Sequence, residues 1–255
     1  MLRYSAFKKG LVCALFGVVM CSEIAAAQEN MQNLIGVGEL PEGVYSEPYT
    51  FESTNTQDAA ELVLYGFTAS TGDGFCSGIS LNEHQFLTSQ HCTNAATSLE
   101  DMKVFGHPDA IVQDIEDLPG VDATVVTLKN PVFSHHCTEF SESTVRVGEK
   151  IDLYTFDFSK NKPNSEQLNV EQVDYVGNNP ELGITSHDLL RASALDGTAT
   201  QEGDSGAPVF MQREDGGKAL AGIVVGVSKK YGDVIVQPIE PLIDDVLERG
   251  SYCGE

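Results

Sequence analysis

The 255-residue sequence contains no tryptophan and sets only 15 Lys+Arg against 38 Asp+Glu, a formal charge of −23. A nucleic-acid partner is excluded, because gripping phosphates needs a basic face. The acid excess implies instead a soluble surface of like charge and a monomer. Long apolar runs are also missing: Leu11–Met20 is too short for the ~20 residues of a membrane-spanning helix, and no other stretch comes near it. No Lys or Arg occurs from Gly10 to Met102, so no cut after a basic residue can be made in that stretch.

Residues 1–27 read as a secretory signal peptide. Arg3, Lys8 and Lys9 precede the apolar run, and Ala25, Ala26 and Ala27 supply small residues for cleavage before Gln28. Cys21 offers a lipid-attachment site, but Met20 before it is bulkier than such processing prefers. The expected product is secreted or periplasmic, with no membrane attachment once the signal is gone. It keeps Cys76, Cys92, Cys137 and Cys253, an even set that in an exported chain reads as disulfides, with three pairings open.

Residues 28–58 are polar and interrupted by Gly36, Gly38, Pro41, Gly43 and Pro48. They read as an irregular lead-in or propeptide without evident chemistry. From Glu61 onward short β-type runs recur between turn signals: 61–67, 75–81, 85–89, 123–128, 150–156, 172–176, 207–211, 219–227 and 234–237. That spacing points to an all-β barrel or sandwich. Leu242, Ile243, Val246 and Leu247 after Pro241 form a helical stripe, so a helix is expected over about 240–249. A polar stretch over 140–148 separates the halves.

Two stretches carry chemistry together, Thr88-Ser89-Gln90-His91-Cys92 and Gly203-Asp204-Ser205-Gly206-Ala207-Pro208. A serine hydroxyl becomes a nucleophile only with an imidazole in reach to take its proton and a carboxylate to orient that imidazole. Asp122 opens the strand-like 122–128 between them; Asp114 and Asp117 are competitors. The last histidine is His187, so an α/β-hydrolase order, with histidine after serine, is ruled out. A subtilisin order would have to use Asp58 or Asp73, whose surroundings do not support it. His135-His136-Cys137 suggests a metal ligand set, but the cysteine reads better as half of a disulfide; no metal and no cofactor are expected.

In the order His91, Asp122, Ser205, from about Ala60 to the C-terminus, the chain resembles the trypsin/chymotrypsin family of serine endopeptidases. The resemblance implies two packed six-stranded antiparallel β-barrels, at about 59–140 and 145–238 of a protease domain over 59–255, with a C-terminal helix. It implies that His91, Asp122 and Ser205 are catalytic and that the Gly203 and Ser205 N–H groups form the oxyanion hole. It further implies disulfides Cys76–Cys92 and Cys137–Cys253. Ala199, Thr200, Val225, Gly226 and Val227 take specificity-pocket positions, and Val227 in a place often held by glycine favours small or apolar residues before the cut. Asp233 on the pocket floor would instead attract a basic side chain.

Implied partners are polypeptide substrates and protein protease inhibitors. Asp204 takes the activation-linked position, where the family pairs a carboxylate with a newly freed N-terminal ammonium. The family's Ile-Val-Gly-Gly start is missing, so the partner of Asp204 is expected to be the Gln28 amine, an amine freed at a non-basic bond such as Leu34–Ile35, or an internal group. The missing start, Ser89-Gln90 in place of two alanines, and the lack of tryptophan favour the rival reading, a catalytically silent homologue acting as a binding module.

Overall fold

The computed structural model describes residues 29–38, 49–50, 60–134, 138–158, 160–179, 183–195 and 200–249. The signal segment, Ala199, His135, His136 and the Cys137–Cys253 pairing lie outside these residues. The chain supplies strands β1 (Glu29–Gln32), β2 (Gly36–Val37), β3 (Tyr49–Thr50), β4 (Glu61–Ala69), β5 (Gly72–Asn82), β6 (Gln85–Thr88), β7 (Lys103–Val104), β8 (Val112–Asp117) and β9 (Thr124–Leu128). Its second half supplies β10 (Lys150–Asp157), β11 (Lys162–Asn179), β12 (Ile184–Ala194), β13 (Pro208–Gln212), β14 (Lys218–Ser228) and β15 (Val234–Pro238).

One sheet runs β3-β4-β5-β6-β9-β8, with β2 beside β5 and β7 beside β4. In the other, β11, β10, β13, β14, β15 and β12 follow one another and β12 returns to β11, closing six strands into a barrel. The expected all-β architecture of two packed, curled sheets with a terminal helix is therefore present. A 3-10 turn, Glu240–Leu242, runs into helix α2 (Ile243–Arg249), the shorter α1 being Gln90–Ala95 after β6.

Strand alternation sorts side chains between two cores. On β9, Val125 joins a cluster with Ile79, Leu87, Ile223, Val225 and Leu242 between the sheets, while Val126 and Leu128 face Tyr65, Phe86 and Phe133 inside the first sheet. Full burial of each such side chain contributes about 1.5–3 kcal/mol, so a register slip of one residue would lose both cores at once.

The segment expected to be irregular instead supplies β1, β2 and β3; its glycines and prolines masked the pairing. β8, β12 and the first half of β11 were also not expected as strands. Residues 162–167 are mostly exposed and polar, and they are held by backbone pairing to β10 rather than by an apolar pattern. Among the described residues no helix is long and apolar enough to cross a membrane.

The Cys76–Cys92 disulfide ties β5 to α1 across a Cα–Cα distance of 6.4 Å, with both cysteines fully buried. It closes a loop of sequence separation 16, and a loop of that length contributes about 3 kcal/mol by restricting the unfolded chain. The double substitution Cys76→Ala/Cys92→Ala should lower unfolding free energy by that amount in urea titration; an unchanged midpoint would contradict it.

Candidate active site

Three loops converge where the sheets meet. His91 lies in the first turn of α1, directly after β6. Asp122 follows the Pro119-Gly120 turn, which needs the positive φ of Gly120 (74°) and is closed by Leu118 N–H donating to the Ala123 carbonyl (2.9 Å). Ser205 sits in the loop before β13. Its neighbour Gly206 (φ 85°) has no room for a side chain, because a Cβ there would fall 2.0 Å from the Ser77 carbonyl oxygen.

The loops are tied across the sheets. Ser77 N–H donates to the Ser205 carbonyl (2.8 Å) and Ser77 Oγ to the Gly203 carbonyl (2.8 Å). Ser89 Oγ donates to the Val224 carbonyl (2.9 Å), so the serine that replaces an expected alanine has a structural partner.

His91, Asp122 and Ser205 form one hydrogen-bonded chain. Asp122 Oδ2 is 2.7 Å from His91 Nδ1, and His91 Nε2 is 2.7 Å from Ser205 Oγ. Asp122 also accepts the His91 backbone N–H at Oδ1 (2.9 Å). A carboxylate at Nδ1 places the ring proton there, leaving Nε2 to accept the serine proton. All three residues are buried. The competing aspartates are used elsewhere: Asp117 accepts from Thr124 Oγ1 (3.0 Å) and Asp114 from the Ile115 N–H (2.9 Å).

Sequence reasoning missed Asn179, the last residue of β11, which is fully buried. Its Nδ2 donates to Asp122 Oδ2 (3.1 Å) and to Asn33 Oδ1 (2.9 Å), giving the buried carboxylate a third N–H donor. No local signal marks it, since only the fold carries it to Asp122.

The Gly203 and Ser205 N–H groups point at one acceptor, the Leu34 carbonyl oxygen, at 2.6 and 3.5 Å. Gly203 has φ 95° and no room for a Cβ, which would fall 2.5 Å from the Phe75 ring. Of the specificity positions, Val225 is buried, Gly226 and Val227 lie on β14 and Thr200 lies near Asp204. Asp233 is ion-paired with Arg191, whose guanidinium stacks on Tyr231 at 4.3 Å. Its charge is thereby matched within the fold. Among the described residues no cluster of three or more metal-type ligands occurs.

The sequence matches the Trypsin family over residues 54–239, and the chain belongs to that family, whose substrates are polypeptides. Among solved structures it is similar to the scabies mite inactivated protease paralogue S-I1, at 15% identity and TM-score 0.55, covering 74% of this chain and 94% of that one. It is likewise similar to kallikrein-related peptidase 10 in complex with zinc, at 14% identity and TM-score 0.51, covering 74% and 96%. At these identities the likeness is one of fold. No curated protein matches the chain in sequence.

Asp204, 2% exposed, accepts the Gln201 N–H at Oδ2 (2.7 Å), while Oδ1 has no partner among the described residues. It borders a polar pocket with Thr155, Asp157, Glu166, Thr200 and Gln201, where Lys160 pairs with Asp157. Burial, aided by the charges of Glu166 and Asp157, pushes its carboxyl up to about 7. The folded state therefore holds a proton that the unfolded chain releases near pH 4, and stability falls as pH rises toward 7. From pH 5.5 to 7.5 this one group should cost ~2 kcal/mol. Asp204→Asn should remove that fall in urea unfolding at the two pH values; an unchanged difference would contradict the assignment.

Proposed function

We propose that this protein is a serine endopeptidase that cuts polypeptides through an acyl-enzyme on Ser205. The observation that carries the reading is the buried chain Asp122–His91–Ser205 ending beside two N–H groups that converge on a single carbonyl oxygen. His91 Nε2 takes the Ser205 proton as Oγ attacks the carbonyl carbon, and Asp122 stabilises the imidazolium that forms. The Gly203 and Ser205 N–H groups meet the oxyanion. His91 then protonates the leaving nitrogen, and water hydrolyses the ester by the same route. Asn179 acts through Asp122 as a positioning residue.

Val224, Ala192 and Ala207, which surround Leu34, and Val227 packed against the same cluster, with Asp233 already matched by Arg191, favour an apolar side chain before the cut over a basic one. Val225 faces the other core, between the sheets. The signal-like leader supports export and the acidic like-charge surface a monomer, with protein protease inhibitors as further partners. The alternative is a silent binding module, supported by the missing Ile-Val-Gly-Gly start and the lack of tryptophan; of its third support, Ser89-Gln90, the Ser89 hydroxyl has a structural use in the fold.

A fluorophosphonate probe should label Ser205, with labelling abolished in Ser205→Ala and lowered at least a thousandfold in His91→Ala; folded, processed protein that takes no label would favour the binder. Gly203→Ala keeps the N–H but forces a Cβ against the Phe75 ring at a positive φ, so it should displace that donor and reduce peptide hydrolysis by about 10²–10³-fold, the effect of disabling one oxyanion donor. Asn179→Ala, losing a hydrogen bond to a charged group worth about 1.5–3 kcal/mol, should lower kcat by an order of magnitude with KM little changed. A rise in KM alone would place Asn179 in substrate binding instead.

A further inference from the structure

The N-terminal segment lies across Ser205 in the register of a substrate. β1 runs antiparallel to β14, with Met31 opposite Ser228 and Gln32 opposite Val227. β2 runs antiparallel to β5, with Gly36 opposite Phe75 and Val37 opposite Gly74. Between them, Leu34 offers its carbonyl oxygen to the Gly203 and Ser205 N–H groups (2.6 and 3.5 Å), and its own N–H donates to Ser205 Oγ (3.0 Å). Strand addition on both sides of one held carbonyl is how an extended peptide is presented for acyl transfer.

The fit extends to the side chains. Met31, 2% exposed, occupies the space left by Gly177, where a Cβ would fall 2.5 Å from Met31 Sδ. Gly226 leaves room for the Gln32 carbonyl oxygen, which would lie 2.7 Å from a Cβ there. Leu34, 4% exposed, joins the apolar cluster of Ala192, Ala207 and Val224. Gly36 packs under the Phe75 ring, whose Cζ would lie 2.0 Å from any Cβ. Asn33 bonds Asn179, which bonds Asp122.

We propose that residues 29–38 are a built-in substrate that fills the cleft until the Leu34–Ile35 bond is cut by the chain's own Ser205. This inference rests on the serine-peptidase reading and names its substrate class: polypeptides with leucine before the bond, a methionine-like side chain three residues further upstream, and glycine second after the bond. Ser205 Oγ bonds to the Leu34 carbonyl carbon as its proton passes to His91. The C–N bond to Ile35 breaks and His91 protonates the departing nitrogen. Water, giving a proton to His91, then attacks the Leu34 ester; the bond to Ser205 Oγ breaks and His91 returns the proton to that oxygen, leaving a carboxylate on Leu34 and an ammonium on Ile35. That ammonium is one of the amines the sequence offers as a partner for Asp204.

The test follows the purified full chain by intact mass and N-terminal sequencing, with fluorophosphonate labelling in parallel. Wild type should break between Leu34 and Ile35 with a rate unchanged by tenfold dilution. Ser205→Ala should stay whole. Leu34→Asp and Gly36→Val, which disturb the fit on opposite sides of the bond, should slow the break at least tenfold while still labelling at Ser205. Protein that labels but keeps Leu34–Ile35 whole, or cuts it equally fast in both variants, would overturn the proposal and leave the peptidase reading intact. A rate that falls in proportion to dilution would overturn the intramolecular route. Protein that neither labels nor cuts would overturn both.

Discussion

A buried carboxylate dictates much of this structure. Asp122 is fully enclosed, and a charge removed from water is tolerated only when hydrogen bonds replace its hydration. Here they come from the His91 N–H, the His91 ring and the Asn179 amide, contributed by the first turn of α1 and the end of β11. Satisfying one aspartate thus requires both sheets to be in place, and it leaves the far nitrogen of the imidazole facing Ser205. The disulfide beside His91 and the Ser77 and Ser89 bonds hold the same loops from the other side.

A second constraint is the shortage of cations in a chain with 15 Lys+Arg. Arg191 is committed to Asp233, Lys160 to Asp157 and Lys218 to Asp152. Asp204, deep beside the nucleophile, receives among the described residues only a backbone donor and holds its proton to about pH 7. The same loop turns its N–H groups toward the Leu34 carbonyl. The buried carboxyl and the two N–H groups that hold a carbonyl therefore meet within three consecutive residues, 203–205, where Gly203 takes a positive φ.

The part of the site legible in the sequence is the part encoded locally. His91 and Ser205 stand in short motifs, Asp122 opens an alternating apolar strand, and Cys92 adjoins His91. Asn179 was not legible because nothing near it in sequence distinguishes it from any strand-end asparagine. Asp233 was read as a pocket charge because its match, Arg191, lies 42 residues away. The strands β8 and β12 and the start of β11 were missed because hydrogen bonding to neighbours, not apolar alternation, defines them. Residues 29–38 misled most: Gly36, which signals irregular chain by composition, is the place where bulk must be absent under the Phe75 ring for the segment to pair with β5. Leu34–Ile35 stood out beforehand only as a non-basic bond.

The account's central claim is that His91 and Ser205 act as one unit. It is tested most directly by a double-mutant cycle on peptide hydrolysis with the processed protein. Either alanine substitution alone should cost nearly as much kcat as both together, because removing one partner disables the other. Losses that multiply would mean that imidazole and hydroxyl work independently and would contradict the account.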